Sequence, residues 1–139
     1  MKKYILSSDI NVFGFQVKSF PQGISEAFDN LMNTIDDKNF TRSYYGITKA
    51  AKDGSMLYYA TALENSSDEA DKYNLERLSI SKGEYLTETL NDWLTKIDSI
   101  KTIFQRMMQD GRVDKTKPCV EWYKNKNEMM CMVSADISK

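Results

Sequence analysis

The chain has 139 residues, 19 Lys+Arg against 20 Asp+Glu, a formal net charge of −1, 41% hydrophobic residues, 2 Pro, 2 Cys and no His. That length suits one domain with a sizeable core, and the near-neutral balance argues against nucleic acid as the main partner. Without His there is no Ser-His-Asp or Cys-His catalysis and no His-ligated zinc, so acid–base chemistry falls to carboxylates, Tyr, Lys or Cys.

The N-terminus starts basic, but its apolar run is only Tyr4 to Leu6, too short for a secretory segment or a membrane span. Two cysteines, Cys119 and Cys131, are too few for a disulfide framework and read as free thiols of a soluble, cytoplasmic protein. Residues 10–20 are β-rich, with Val12, Phe13, Phe15, Val17 and Phe20, and end at Pro21-Gln22-Gly23. The period then changes: Ile24, Phe28, Leu31, Met32 and Ile35 lie on one face of a helix that stops at Asp36-Asp37-Lys38-Asn39.

Two strands follow, 42–49 and 56–63, with a hairpin signal at Asp53-Gly54. The acidic stretch 64–72 reads as a loop or a short helical turn. Residues 74–81 and 84–90 read as strands around a Lys82-Gly83 turn. Ile97, Ile100, Ile103, Phe104, Met107 and Met108 mark a second amphipathic helix, closed by Asp110-Gly111. Its methionines suit gap-filling in a core. A last hairpin runs 119–124 and 128–135, around Asn125-Lys126-Asn127.

The order repeats weakly. Phe13 and Tyr85 are 72 residues apart, as are the turns at Asp53 and Asn125, and each half reads strand–helix–hairpin, with 74–81 as an extra joining strand. The expectation is one α+β domain over 1–139: an antiparallel sheet with two helices, built as a pseudo-two-fold duplicated strand-helix-strand-strand unit over about 8–65 and 73–137. Such a duplication leaves a groove between halves in which a small molecule can lodge.

Lys117-Pro118-Cys119-Val120-Glu121-Trp122-Tyr123 carries the chemistry. Period-2 alternation puts Cys119, Glu121 and Tyr123 on one face and Val120 and Trp122 on the other, the pattern of a central strand. A carboxylate there must neutralise, find a cation such as Lys49 or Lys117, face water, or await a cationic ligand. A two-residue turn at Asn125-Lys126 would put Glu121 opposite Met130 and Cys119 opposite Met132; one more residue would put Cys119 opposite Cys131. Tyr44, Tyr45, Tyr58, Tyr59, Tyr85 and Tyr123 all fall on expected strands, where one of each adjacent pair faces the helices. With Trp93 and a buried carboxylate they could form an aromatic cage for a lipophilic cation. No phosphate-binding loop, CxxC pair, EF-hand spacing, GxSxG elbow or helix-turn-helix is present.

The element order, Lys117–Tyr123 before a Met-rich last strand, Phe104–Asp110 and Ile80-Ser81-Lys82-Gly83-Glu84-Tyr85 together resemble the GyrI-like superfamily of effector-binding, multidrug-sensing domains of bacterial regulators. The resemblance spans essentially the whole chain. It implies an SHS2-type duplicated fold around a pocket, with Glu121 at the floor pairing with cationic aromatic molecules. Tyr123 matches by motif, and Tyr45, Tyr58 and Trp93 are placed on the walls by element order, with Tyr44 or Tyr59 as replacements for their neighbours. No cofactor or metal is implied. Many members carry an N-terminal DNA-binding module that is not seen in this sequence, so a complete chain of this kind is not expected to be a sequence-specific repressor or activator itself; the expected partner is a small-molecule ligand, with neither direct nucleic-acid nor membrane contact. Three roles follow: a stand-alone sensor or sequestering protein; a hydrolase of reactive xenobiotics using Glu121 and Tyr123; or a gyrase-inhibitor-type protein acting on a protein partner.

Overall fold

Alternating apolar residues make eight strands of this chain, and two amphipathic stretches make its longer helices. The computed structural model describes residues 1–138. Strands β1 (Lys2–Leu6), β2 (Ile10–Gln16), β3 (Tyr44–Ala50), β4 (Met56–Leu63), β5 (Glu76–Ile80), β6 (Gly83–Asn91), β7 (Cys119–Tyr123) and β8 (Glu128–Ser134) form one antiparallel sheet, in the order β1-β6-β8-β7-β3-β4-β2-β5. Helix α1 (Ile24–Thr34) packs on β4 and α3 (Ile97–Met107) on β8, while α2 (Glu69–Lys72) is a single turn beside β2 and β5. The α+β, pseudo-two-fold architecture expected from the sequence is the one observed.

Exchanging β1 with β5, β2 with β6, β3 with β7 and β4 with β8 reverses the sheet order exactly onto itself. The two-fold therefore passes between β3 and β7. The unexpected strand β1 is the counterpart of β5, so 74–81 is no joining strand: each half contributes an outer strand of its own. β1 escapes the sequence pattern because only Tyr4, Ile5 and Leu6 are apolar and Ile5 is exposed. Phe13 and Tyr85 are not equivalent either. Phe13 packs under the helices and Tyr85 on the other face, so the residue matching Phe13 is Leu86, an offset of 73 that also superposes α1 on α3.

The sheet must curl. β1 and β2 stand six places apart, about 29 Å in a flat sheet, yet three residues join them, reaching about 13 Å. The Lys82 N–H donates to Asp9 Oδ1 at 2.8 Å, which ties the β1–β2 link to the β5–β6 link. Val12, Tyr45, Ile47, Tyr59, Val120 and Met132 are buried on the inner face with no helix above them, packed across the curl. Tyr4 meets Trp122 edge-on there at 6.5 Å. The outer face carries α1 and α3, whose Leu31, Ile103 and Met107 share one core cluster with Phe13, Leu86 and Met129 of the sheet. β3 and β7 lie between the strands on which the two helices rest.

Neither hairpin register considered from the sequence is the observed one. Tyr123 pairs with Met129, Glu121 with Cys131 and Cys119 with Val133. Asn125 Oδ1 accepts from the N–H groups of Asn127 and Glu128, both at 2.8 Å, which stabilises a three-residue loop and moves the pairing on by one. Both cysteines are free.

Candidate functional site

The outer face at the two-fold axis is built from one row of side chains crossing four strands: Ala60, Gly46, Glu121 and Cys131. The alternation of β7 sends Glu121 and Tyr123 to this face, and the alternation of β4 sends Tyr58 there with Ala60. Gly46 leaves the room in which they meet. A Cβ on it would stand 2.0 Å from the Tyr58 hydroxyl oxygen and 2.6 Å from Glu121 Oε1. A glycine inside a strand marks such a close approach.

Through that gap the Tyr58 hydroxyl donates to Glu121 Oε1 at 2.7 Å, and the Tyr123 hydroxyl donates to the same oxygen at 2.8 Å. No cation lies within ion-pairing distance of Glu121 among the described residues. Lys49, a possible partner from the sequence, sits on the inner face over the Tyr59 ring at 4.9 Å. Burial pushes the Glu121 carboxyl above its ordinary range, and the two tyrosine hydrogen bonds only partly hold it back. In turn burial, then the charge of Glu121, push the Tyr58 and Tyr123 hydroxyls upward. Cys131 is pushed up to about 12, again by burial first and Glu121 second.

Aromatic rings surround this core. Phe20 stacks on Tyr58 at 5.2 Å and 8°, Phe28 meets Tyr123 at 5.6 Å, and Trp93 meets Tyr123 at 4.8 Å. Trp93 is fixed by its indole N–H, which donates to the Asn125 carbonyl at 2.9 Å. Of the residues singled out from the sequence, Glu121, Tyr123, Tyr58 and Trp93 come together. Tyr45 does not join them: it lies inside the curl, stacked on Trp122 at 5.7 Å. Its neighbour Tyr44 takes the helical face, with its hydroxyl donating to Asp37 Oδ2 at 2.7 Å. Phe20, Phe28 and Gly46 were not singled out. Phe28 carried the signal of the helix's apolar face, and Gly46 that of a glycine between two strand-forming residues.

Two surface clefts lie elsewhere, one between the end of β2 and α1, the other beside Lys82–Tyr85 and Arg112–Asp114. Neither is lined by Glu121. Among the described residues no cluster of His, Cys, Asp or Glu could hold a metal ion, and no helix is long and apolar enough to cross a membrane.

No family model matches the sequence, and no curated protein matches it. Solved structures do match. An integron cassette protein from the mobile metagenome of Vibrio cholerae superposes with a TM-score of 0.73 at 13% identity, over 97% of this chain and 95% of that one. SAV2435, solved bound to tetraphenylphosphonium, gives 0.66 at 13% identity over 98% and 94%. A Staphylococcus aureus MU50 protein whose description is bacterial transcription regulation gives 0.61 at 12% identity over 96% and 97%. Together with the observed topology these likenesses show the fold, a curled antiparallel sheet with two helices.

Proposed function

We propose that this chain is a binding module for small cationic or amphipathic aromatic molecules, working in the cytoplasm as an effector sensor or sequestering protein, with Glu121 as its anchor. The observation that carries this reading is a half-buried carboxylate with no cationic partner among the described residues, ringed by Tyr58, Tyr123, Trp93, Phe20 and Phe28. A buried charge without a partner is costly, and a cationic ligand would neutralise it. Each ring facing the cation would add about 0.5–2 kcal/mol. That a protein of the same fold was solved with tetraphenylphosphonium supports the same class of ligand. Hydrolysis fits less well. The hydroxyls of Tyr58 and Tyr123 both donate to Glu121, which leaves neither free to activate an electrophile.

Fluorescence and thermal-shift titration with planar cationic dyes and matched neutral analogues tests the proposal. Wild type should bind the cations with micromolar affinity, and Glu121→Gln should lose at least tenfold for cations while sparing neutral compounds. Equal losses for both classes would remove the carboxylate from the mechanism.

A further inference from the structure

The hydrogen-bond donors around Glu121 are already engaged. Tyr58 and Tyr123 have one O–H each, and both point at Oε1. The Trp93 N–H is held by Asn125. The Cys131 thiol lies 3.8 Å from the Met129 sulfur and the Cys119 thiol 4.0 Å from that of Met108. Among the described residues the other carboxylate oxygen, Oε2, has no hydrogen-bond partner. Nor is it sealed off: among the described residues the side-chain N or O atom that is both fully buried and unpartnered is Trp122 Nε1, which belongs to the inner-face strand position. Oε2 therefore meets accessible space. What these residues offer a ligand is Oε2, an acceptor, since Tyr58 and Tyr123 are themselves buried.

Such a floor distinguishes between kinds of cation. A quaternary ammonium or phosphonium ion brings charge and no proton to donate. A protonated amine brings both, and its N–H can lie in the plane of the carboxylate at Oε2 while the tyrosines hold Oε1. Resting on the binding reading above, we infer that the Glu121 site selects cations carrying an N–H, protonated amines on a flat aromatic body, over quaternary ions of similar size. Stripping water from the N–H opposes the gain. Because hydrogen bonds to charged groups retain a net benefit in buried sites, the preference should reach about tenfold.

Isothermal titration of the full chain at neutral pH with three naphthylmethyl probes decides this: the protonated dimethylamine, the trimethylammonium ion and the neutral methyl ether. The dimethylamine should bind about tenfold tighter than the trimethylammonium ion, and the gap should vanish in Glu121→Gln, whose amide would turn an N–H toward the ligand. If the two cations bind wild type equally, or the quaternary ion binds tighter, while both exceed the ether, the carboxylate acts as a bare charge. The inference then fails and the binding reading stands. If neither cation exceeds the ether, the binding reading itself fails. The comparison among probes is made on wild type, so it survives even if the variant does not fold.

Discussion

Two regions of this molecule draw carboxylates out of water, Asp37 and Glu69 fully and Glu121 in part, and they treat them in opposite ways. At the end of α1, Asp37 accepts from the Thr41 N–H at 2.8 Å, the Thr41 hydroxyl at 2.5 Å, the Arg42 N–H at 3.3 Å and the Tyr44 hydroxyl at 2.7 Å. Nearby, Glu69 takes both terminal nitrogens of Arg42, at 3.1 and 3.0 Å, and the N–H groups of Asn65 and Ser66. Burial works to raise both groups, but these donors outweigh it and hold both carboxyls below their ordinary values. Glu121 has two hydroxyls on one oxygen, and burial wins. Burial alone, then, does not mark a functional carboxylate. What sets Glu121 apart is unfilled hydrogen-bonding capacity and no cation within ion-pairing distance among the described residues, and such a group contributes little to holding the fold together.

The contrast can be broken at its strong end first. Replacing Glu69 by Ala leaves Arg42 nearly buried without its counter-charge, since their side chains keep only 13% and 10% of their surface. The chain should lose about 3 kcal/mol in urea denaturation. A loss under about 1 kcal/mol would show that this pair is screened like a surface bridge, and the distinction between the two regions would collapse. Next comes Gly46. Gly46→Ala should cost about 2 kcal/mol, as overpacking does, because its new methyl meets the Tyr58 hydroxyl oxygen. Adding Tyr58→Phe removes that oxygen but leaves the ring Cζ at 2.7 Å and Glu121 Oε1 at 2.6 Å from the new methyl, so it should recover only part of the loss. A double-mutant cycle showing simple additivity would mean the glycine is needed for the backbone and not for the hydrogen bond to Glu121.

How far was this site legible in the sequence? Period-2 alternation was enough to set Glu121 and Tyr123 together on a central strand, because strand geometry leaves no other choice once the strand is recognised. The strands and helices with dense apolar patterns were equally plain, and 56–63 matches β4 to the residue. The failures come from non-local pairing. Which of Tyr44 and Tyr45 faces the helices depends on strand phase, and a one-residue shift exchanges them. The β7–β8 register depended on the side chain of Asn125, which caps a loop one residue longer than the minimum. β1 is short and half polar, so its pairing with β6 is decided by the curl of the whole sheet. Gly46 was written in the sequence, but what it makes room for arrives from β4 and β7, each far along the chain.

The smallest effect sharpens the contrast most, because it predicts opposite pH dependence in the two regions. A carboxyl lowered on folding stabilises the native state at neutral pH, and that contribution disappears as pH falls through its folded value. Asp37 and Glu69 behave so, and acid should weaken the protein through them. Glu121 has the reverse sign. Its folded value lies above the ordinary 4.5, so between the two the native state holds a proton that the unfolded chain has released. Stability from this group is present below 4.5 and declines as pH rises through the folded value. Glu121→Gln never ionises and should escape that decline. Its stability should match wild type near pH 4 and exceed it by about 1 kcal/mol at pH 7, measured by urea titration across that range. Substituting Asn for Asp37 should do the opposite, costing most at neutral pH and least in acid. If Glu121→Gln instead destabilises the chain at pH 7, the carboxylate is a structural anchor like Glu69, held by the tyrosines for the fold's sake, and its availability to a cation would lose its physical basis.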